Sequence, residues 1–158
     1  MEHLAISPEE LFGQRKLLDV IVINAETNKI IALALMNHEA FKQTLRSKNV
    51  HYYDPYNDKV YLKGEHSGKI ETIVEIELDV CPARRHSASL LIYVRMNEGS
   101  CLFGMEDCFF YKYKDGRFIP DENKVTDREA FNKSCGRLNK ILSLEEKKED
   151  YQKRFQKL

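Results

Sequence analysis

The chain has 158 residues, with 25 Lys plus Arg against 25 Asp plus Glu, so its formal charge is zero. That balance argues against a polyanion-binding protein, because phosphate contacts need a basic surplus, and no nucleic-acid partner is expected. Hydrophobic residues make up 42%, enough for a core and too much for a disordered chain. No apolar run approaches the roughly 20 residues of a membrane helix. Met1-Glu2-His3-Leu4 is not the start of a signal peptide, which needs a basic stretch and then an apolar one. The expectation is a cytoplasmic protein without a membrane partner, whose four cysteines are thiols or metal ligands rather than disulfides.

Ser7-Pro8-Glu9-Glu10 predicts a capped, short helix, with Gly13 close behind. Two β-branched runs, Leu18 to Ile23 and Ile30 to Leu35, flank the polar segment 24–28 and predict a hairpin. Asn37 caps a second helix that ends near Asn49. His51-Tyr52-Tyr53 and Lys59 to Leu62 flank a turn at 54–58. From Thr72 to Asp79 the pattern alternates, which predicts Val74, Ile76 and Leu78 on one face and Glu75, Glu77 and Asp79 on the other. Leu90 to Val94 is apolar on both faces and reads as a central strand. Phe109 to Tyr113 reads as a strand turning at Asp115-Gly116.

After Pro120 the character changes. Thr126-Asp127-Arg128-Glu129 and Ser143-Leu144-Glu145-Glu146 each resemble a capping box that opens a helix. The last helix carries only a thin stripe of Leu144, Tyr151, Phe155 and Leu158, as a solvated surface helix would. The division expected is a main domain over 1–120 and a helical extension over 121–158.

Cys101 and Cys108 lie seven apart, and Cys81 precedes them by twenty. The spacing leaves two readings open. Free cysteines are often buried core thiols. Three thiolates are also a soft donor set for zinc, with a fourth position left for water, whose pKa zinc lowers to about 7. Cys135 falls in a predicted helix and reads as structural.

Four blocks in order resemble the phosphoribosyl-AMP cyclohydrolase family. They are Ala34 to Phe41, Tyr61 to Gly68 (YLKGEHSG), Val74 to Cys81, and Gly99 to Gly104 continuing through Cys108-Phe109-Phe110. The resemblance implies an α+β fold, a twisted antiparallel sheet with short helices closed into an intertwined homodimer with the metal site at the interface. It implies a step of histidine biosynthesis, in which water adds to C6 of an N1-ribosylated adenine ring and the N1–C6 bond breaks. It implies zinc on Cys81, Cys101 and Cys108, and a phosphoribosyl-nucleotide substrate. Lys63, Gly64, Ser67 and Gly68 become binding residues, with Glu65 orienting water or accepting a proton.

The sequence also departs from the family pattern. The family uses magnesium as well, yet only Asp79 remains of the aspartates near Cys81, and magnesium needs oxygen ligands, so it is expected to be dispensable here. Leu102 stands where the family has His, and Asp54-Pro55-Tyr56-Asn57 replaces a segment with two arginines. The insert after Cys81 brings Arg84, Arg85 and His86. The expectation is that Arg84 and Arg85 bind phosphate and that His66 or His86 moves the proton, against the alternative of solvated loop residues. Two other functions stay open: a paralogue opening another purine-like ring, and a non-catalytic dimeric binding protein with structural zinc.

Overall fold

The computed structural model describes residues 5–79, 88–96 and 101–142. The fold is α+β. Ser7 accepts the amide of Glu10 while Glu10 accepts that of Ser7, and this reciprocal cap opens α1 (Pro8–Gln14). The expected hairpin forms as β1 (Leu18–Asn24) and β2 (Ile30–Met36). Asn37 caps α2 (His38–Ser47), and Lys48, in the left-handed region, ends it. β3 (His51–Asp54) and β4 (Lys59–Leu62) form a separate two-stranded sheet across the predicted turn.

β5 (Glu71–Asp79) and β6 (Ser89–Met96) complete a four-stranded sheet in the order β2-β1-β6-β5. Leu90 to Val94 is central, as its two-faced apolarity predicts. The sheet is not wholly antiparallel, however: β6 runs parallel to β1, pairing Asp19 with Ser89 through Asn24 with Val94. Both strands are apolar on alternate residues facing the core, with Val20, Val22, Ile92 and Val94 fully buried. Central placement between two neighbours is what such strands need.

The alternation of β5 is also corrected. A bulge falls between Ile73 and Glu75, so that Ile73 pairs with Val94 and Glu75 with Tyr93. The extra residue shifts side-chain parity. Val74 is therefore 52% exposed, and Ile73, Ile76 and Leu78 pack on the core instead.

Beyond the sheet, β7 (Tyr111–Lys114) and β8 (Arg117–Pro120) form a hairpin that starts two residues later than Phe109. A 3-10 turn (Glu122–Lys124) leads to α3 (Arg128–Leu142). Its capping side chain is Asp127, which accepts the Ala130 amide at 3.0 Å. Thr126, the expected cap, instead donates its hydroxyl to the Gly104 carbonyl. The predicted helix from Ser143 and its apolar stripe lie outside the described residues. Among the described residues no helix is long and apolar enough to cross a membrane.

Two hydrophobic clusters result. The first unites α1, α2, β1–β3 and β6, with Leu18, Met36, Phe41 and Ile92 among its members. The second joins Cys101, Met105 and Phe110 to Phe131 and Leu138 of α3.

Glu71 is fully buried at the start of β5. The Tyr52 hydroxyl donates to its Oε2 at 2.5 Å, and Oε1 has no hydrogen-bond partner. Burial pushes the carboxyl pKa above its ordinary 4.5, against opposing pulls from the Tyr52 hydrogen bond and the Lys63 charge. Between those two values the unfolded chain has released the proton and the folded chain has kept it, so stability falls as pH rises. Denaturant titrations from pH 4 to 8 should show that fall in the wild type and lose it in Glu71→Gln, whose amide is neutral throughout.

Candidate functional site

Two chain segments face each other across one cleft. The first is the turn after β4. The Lys63 amide donates to the Val50 carbonyl, and the Gly68 amide to Gly64, which coils the segment tightly. Gly64 has φ +85°, and a Cβ there would lie 2.3 Å from the Lys69 carbonyl oxygen. Only glycine permits both the left-handed backbone and that crossing. The Lys69 ammonium then reaches the Cys101 carbonyl at 3.1 Å and joins this turn to the cysteine segment.

The second segment runs from Cys101 to Phe110. The Cys108 amide donates to Ile31 on β2 at 2.8 Å. Asp107, buried just before it, accepts the Phe109 amide at 2.7 Å and the Lys124 ammonium at 2.6 Å. The Gly104 carbonyl accepts the amides of Thr126 and Asp127, at 2.9 and 3.0 Å. A Cβ on Gly104 (φ +74°) would lie 2.2 Å from the Asp127 carbonyl oxygen, so the start of α3 is packed directly on this loop.

The cleft between them has a volume of about 670 Å³, within the range of small-molecule sites. Lys63, Gly64, Glu65, His66 and Ser67 line one side, and Cys101 and Cys108 the other. The structure thus brings seven of the sequence-predicted residues together. Gly68, at φ +75°, shapes the turn without lining the cleft. Cys81, Arg84, Arg85 and His86 lie outside the described residues. Leu102, at the family's His position, is 56% exposed and also lines the cleft. The 54–57 turn contributes Asp54 and Asn57, with the Asp54 carboxylate accepting the Tyr56 and Asn57 amides. His51 lies apart, its Nδ1 2.9 Å from the Asn49 carbonyl.

Three contributors escape the sequence reading: Tyr52, its buried partner Glu71, and Arg137 on α3. Tyr52 and Arg137 line the cleft directly. Glu71 shares side-chain parity with Ile73, the one sequence signal that it faces inward.

Cys101 and Cys108 line the same wall of the cleft, and the two thiols are coupled in their ionisation, Cys108 acting as proton donor toward Cys101. That donation does most to pull the Cys101 pKa down to about 6. Burial opposes it, while the Phe103 and Met105 amides and the Lys69 charge assist. The same donation, with burial and the Cys101 charge, pushes the Cys108 thiol far up. Among the described residues no group of three or more His, Cys, Asp or Glu side chains converges. The pair still fits a thiophilic metal, since two soft sulfur donors line one cleft and the Cys101 thiol is pulled below its ordinary pKa.

The model of the phosphoribosyl-AMP cyclohydrolase family matches residues 32–110, half of the chain. The chain belongs to that family. A phosphoribosyl-AMP cyclohydrolase of Chlorobaculum parvum is 35% identical over 105 residues, covering 66% of this chain and 73% of its own length. Those of Rhizobium rhizogenes and Methanosphaera stadtmanae are 32% and 31% identical, over 78% and 75% of this chain and 80% and 90% of theirs. The matched span holds the Lys63–Ser67 turn and both cleft cysteines, whereas the 32–110 family match stops short of α3.

In metal-free protein, ultraviolet absorbance should report one thiolate forming at the pair with a midpoint of about 6. A Cys108→Ala substitution removes the donor, so this midpoint should climb toward the ordinary thiol value of 9.0.

Proposed function

We propose that the chain is a zinc-dependent phosphoribosyl-AMP cyclohydrolase acting in histidine biosynthesis in the cytoplasm. The observation that carries this reading is the pair of cysteines, Cys101 and Cys108, facing the Lys63–Ser67 turn across a nucleotide-sized cleft in a member of this family. Cys81, Cys101 and Cys108 would hold the zinc, which when bound supplies Lewis acidity and lowers the pKa of water.

The chain's own residues account for the rest. The N1-substituted adenine lies between Tyr52 and Tyr61 on one side and the cysteine loop on the other. Glu65 takes one proton from the water whose oxygen bonds to C6, the C6=N π pair moves to the exocyclic nitrogen, and the second water proton passes to that nitrogen as the C6 oxygen becomes the carbonyl of a carboxamide. The electron pair of the N1–C6 bond goes to N1 as the ring opens, and N1 takes a proton from His66, with His86 as the second candidate donor. Lys63 and the backbone of Gly64 and Ser67 hold the substrate, with Gly68 shaping their turn, together with Arg84 and Arg85 of the insert.

Magnesium has no role in this reading, since Asp79 is the one aspartate left near Cys81 in sequence. Zinc analysis with turnover of phosphoribosyl-AMP tests the whole reading. Wild type should carry about one zinc per chain and convert the substrate without added magnesium. The Cys101→Ser, Cys108→Ser double variant should lose both zinc and turnover. Unchanged metal content in that variant, or collapse of activity on magnesium withdrawal at fixed zinc, would overturn it. A second reading, a paralogue for another purine-like ring, is favoured by exposed Leu102 and by the acidic 54–57 turn. A zinc-loaded protein inert toward phosphoribosyl-AMP would support it.

An intertwined homodimer is part of the proposal. Both edge strands carry exposed apolar side chains, Ile30 and Leu33 on β2 and Val74 on β5, at 50%, 61% and 52% exposure, more than an isolated monomer's edges usually present. Light scattering at micromolar concentration should give twice the monomer mass, and a monomer that retains zinc would contradict the dimeric site.

A further inference from the structure

α3 is an unexpected wall of the cleft. Phe131 and Leu138 bury it against Cys101, Met105 and Phe110, and the Gly104 carbonyl holds the chain just ahead of it through two amides. This docking turns the residue beside Leu138 toward the cysteine loop. Arg137 lines the cleft with its guanidinium 6.0 Å from the centroid of the Phe103 ring, two residues beyond Cys101. The ring face stabilises the cation without neutralising it. Arg137 forms no ion pair among the described residues, whereas its neighbours Arg128 and Lys133 are bound to Glu122 and Glu129. Asp54, Lys59 and Lys63 line the same cleft, so Arg137 is the cation that α3 adds to it.

We infer that Arg137 is a substrate-binding residue that grips one phosphate monoester of a nucleotide, so that α3, which lies beyond the family-matched span, builds part of the binding site. The inference rests on the nucleotide-cleft reading above and adds to it the location of a phosphate subsite. A planar guanidinium suits the role because it offers paired N–H donors to two phosphate oxygens. The Phe103 ring holds the side chain over the cleft before ligand arrives, which lowers the ordering cost on binding.

The test compares AMP with adenosine by calorimetry on the full-length zinc-loaded chain, with KM for phosphoribosyl-AMP measured alongside. Wild type should bind AMP more tightly than adenosine. Arg137→Gln should weaken AMP binding by about tenfold or more, the loss of a charge-assisted hydrogen bond, and leave adenosine binding where it was. KM should rise in parallel, and Arg137→Lys should recover part of the loss. Lys133→Gln, on the same helix but outside the cleft, should match wild type and so separates phosphate contact from helix docking. A wild type that binds AMP no better than adenosine overturns the inference. So does an Arg137→Gln protein that loses affinity for both equally or for neither. If Arg137 governs AMP affinity while phosphoribosyl-AMP is not turned over, the cyclohydrolase reading fails and the phosphate subsite stands.

Discussion

The parallel pairing of β1 with β6 at the middle of the sheet sets where everything else can lie. Parallel neighbours cannot be joined by a tight turn, so the chain between them must leave the sheet and come back. On that excursion it forms β2, α2 and the β3–β4 hairpin, then the Lys63–Gly68 turn, before β5 returns beside β6. The cysteine segment follows β6 and is pinned to the far edge strand by the bond from the Cys108 amide to Ile31. The two halves of the cleft therefore meet because the sheet is ordered β2-β1-β6-β5, not because they are close in sequence.

Local signals were legible wherever the chemistry is local. The β1–β2 hairpin, the Asn37 cap, the turn between β3 and β4 and the two-faced apolarity of β6 could be read from a few adjacent residues. The Lys63–Ser67 turn and the two cysteines could be singled out because their residue types carry the resemblance. What escaped depends on distant partners. Nothing near Val74 announces the bulge, which arises from how β5 registers on β6. Thr126 looks like a cap until the Gly104 carbonyl is placed beside it, after which Asp127 takes that role. Arg137 reads as one more charge on a surface helix, because its position depends on Phe131 and Leu138 finding the cysteine loop.

The cleft is built between two hydrophobic clusters of different character. The turn side is anchored in the larger one, where Val50 and Tyr52 are buried. The cysteine side belongs to the smaller one, with five buried members among the described residues and a charged strap from Lys124 to Asp107. Burial of Asp107 is tolerable because its two oxygens are met by an ammonium and a backbone amide. Glu71 solves the same problem differently: with one oxygen unpartnered, it keeps its proton more readily and so carries less buried charge.

The joint at Gly104 has a consequence for biosynthesis of the molecule. Every strand of the four-stranded sheet has been made once Met96 is translated. The contacts that hold the cysteine loop divide by when their partners are made. Ile31 and Lys69, which bind the Cys108 amide and the Cys101 carbonyl, precede the cysteines, whereas Lys124, Thr126, Asp127, Phe131 and Leu138 are still ahead on the message. While the ribosome shields those later residues, the nascent chain can form its sheet and tether both cysteines to it, but the α3 side of the loop stays open. A message truncated shortly after residue 120 would leave that half-held state permanent, with a sheet that is complete and a cysteine loop fastened on one side alone.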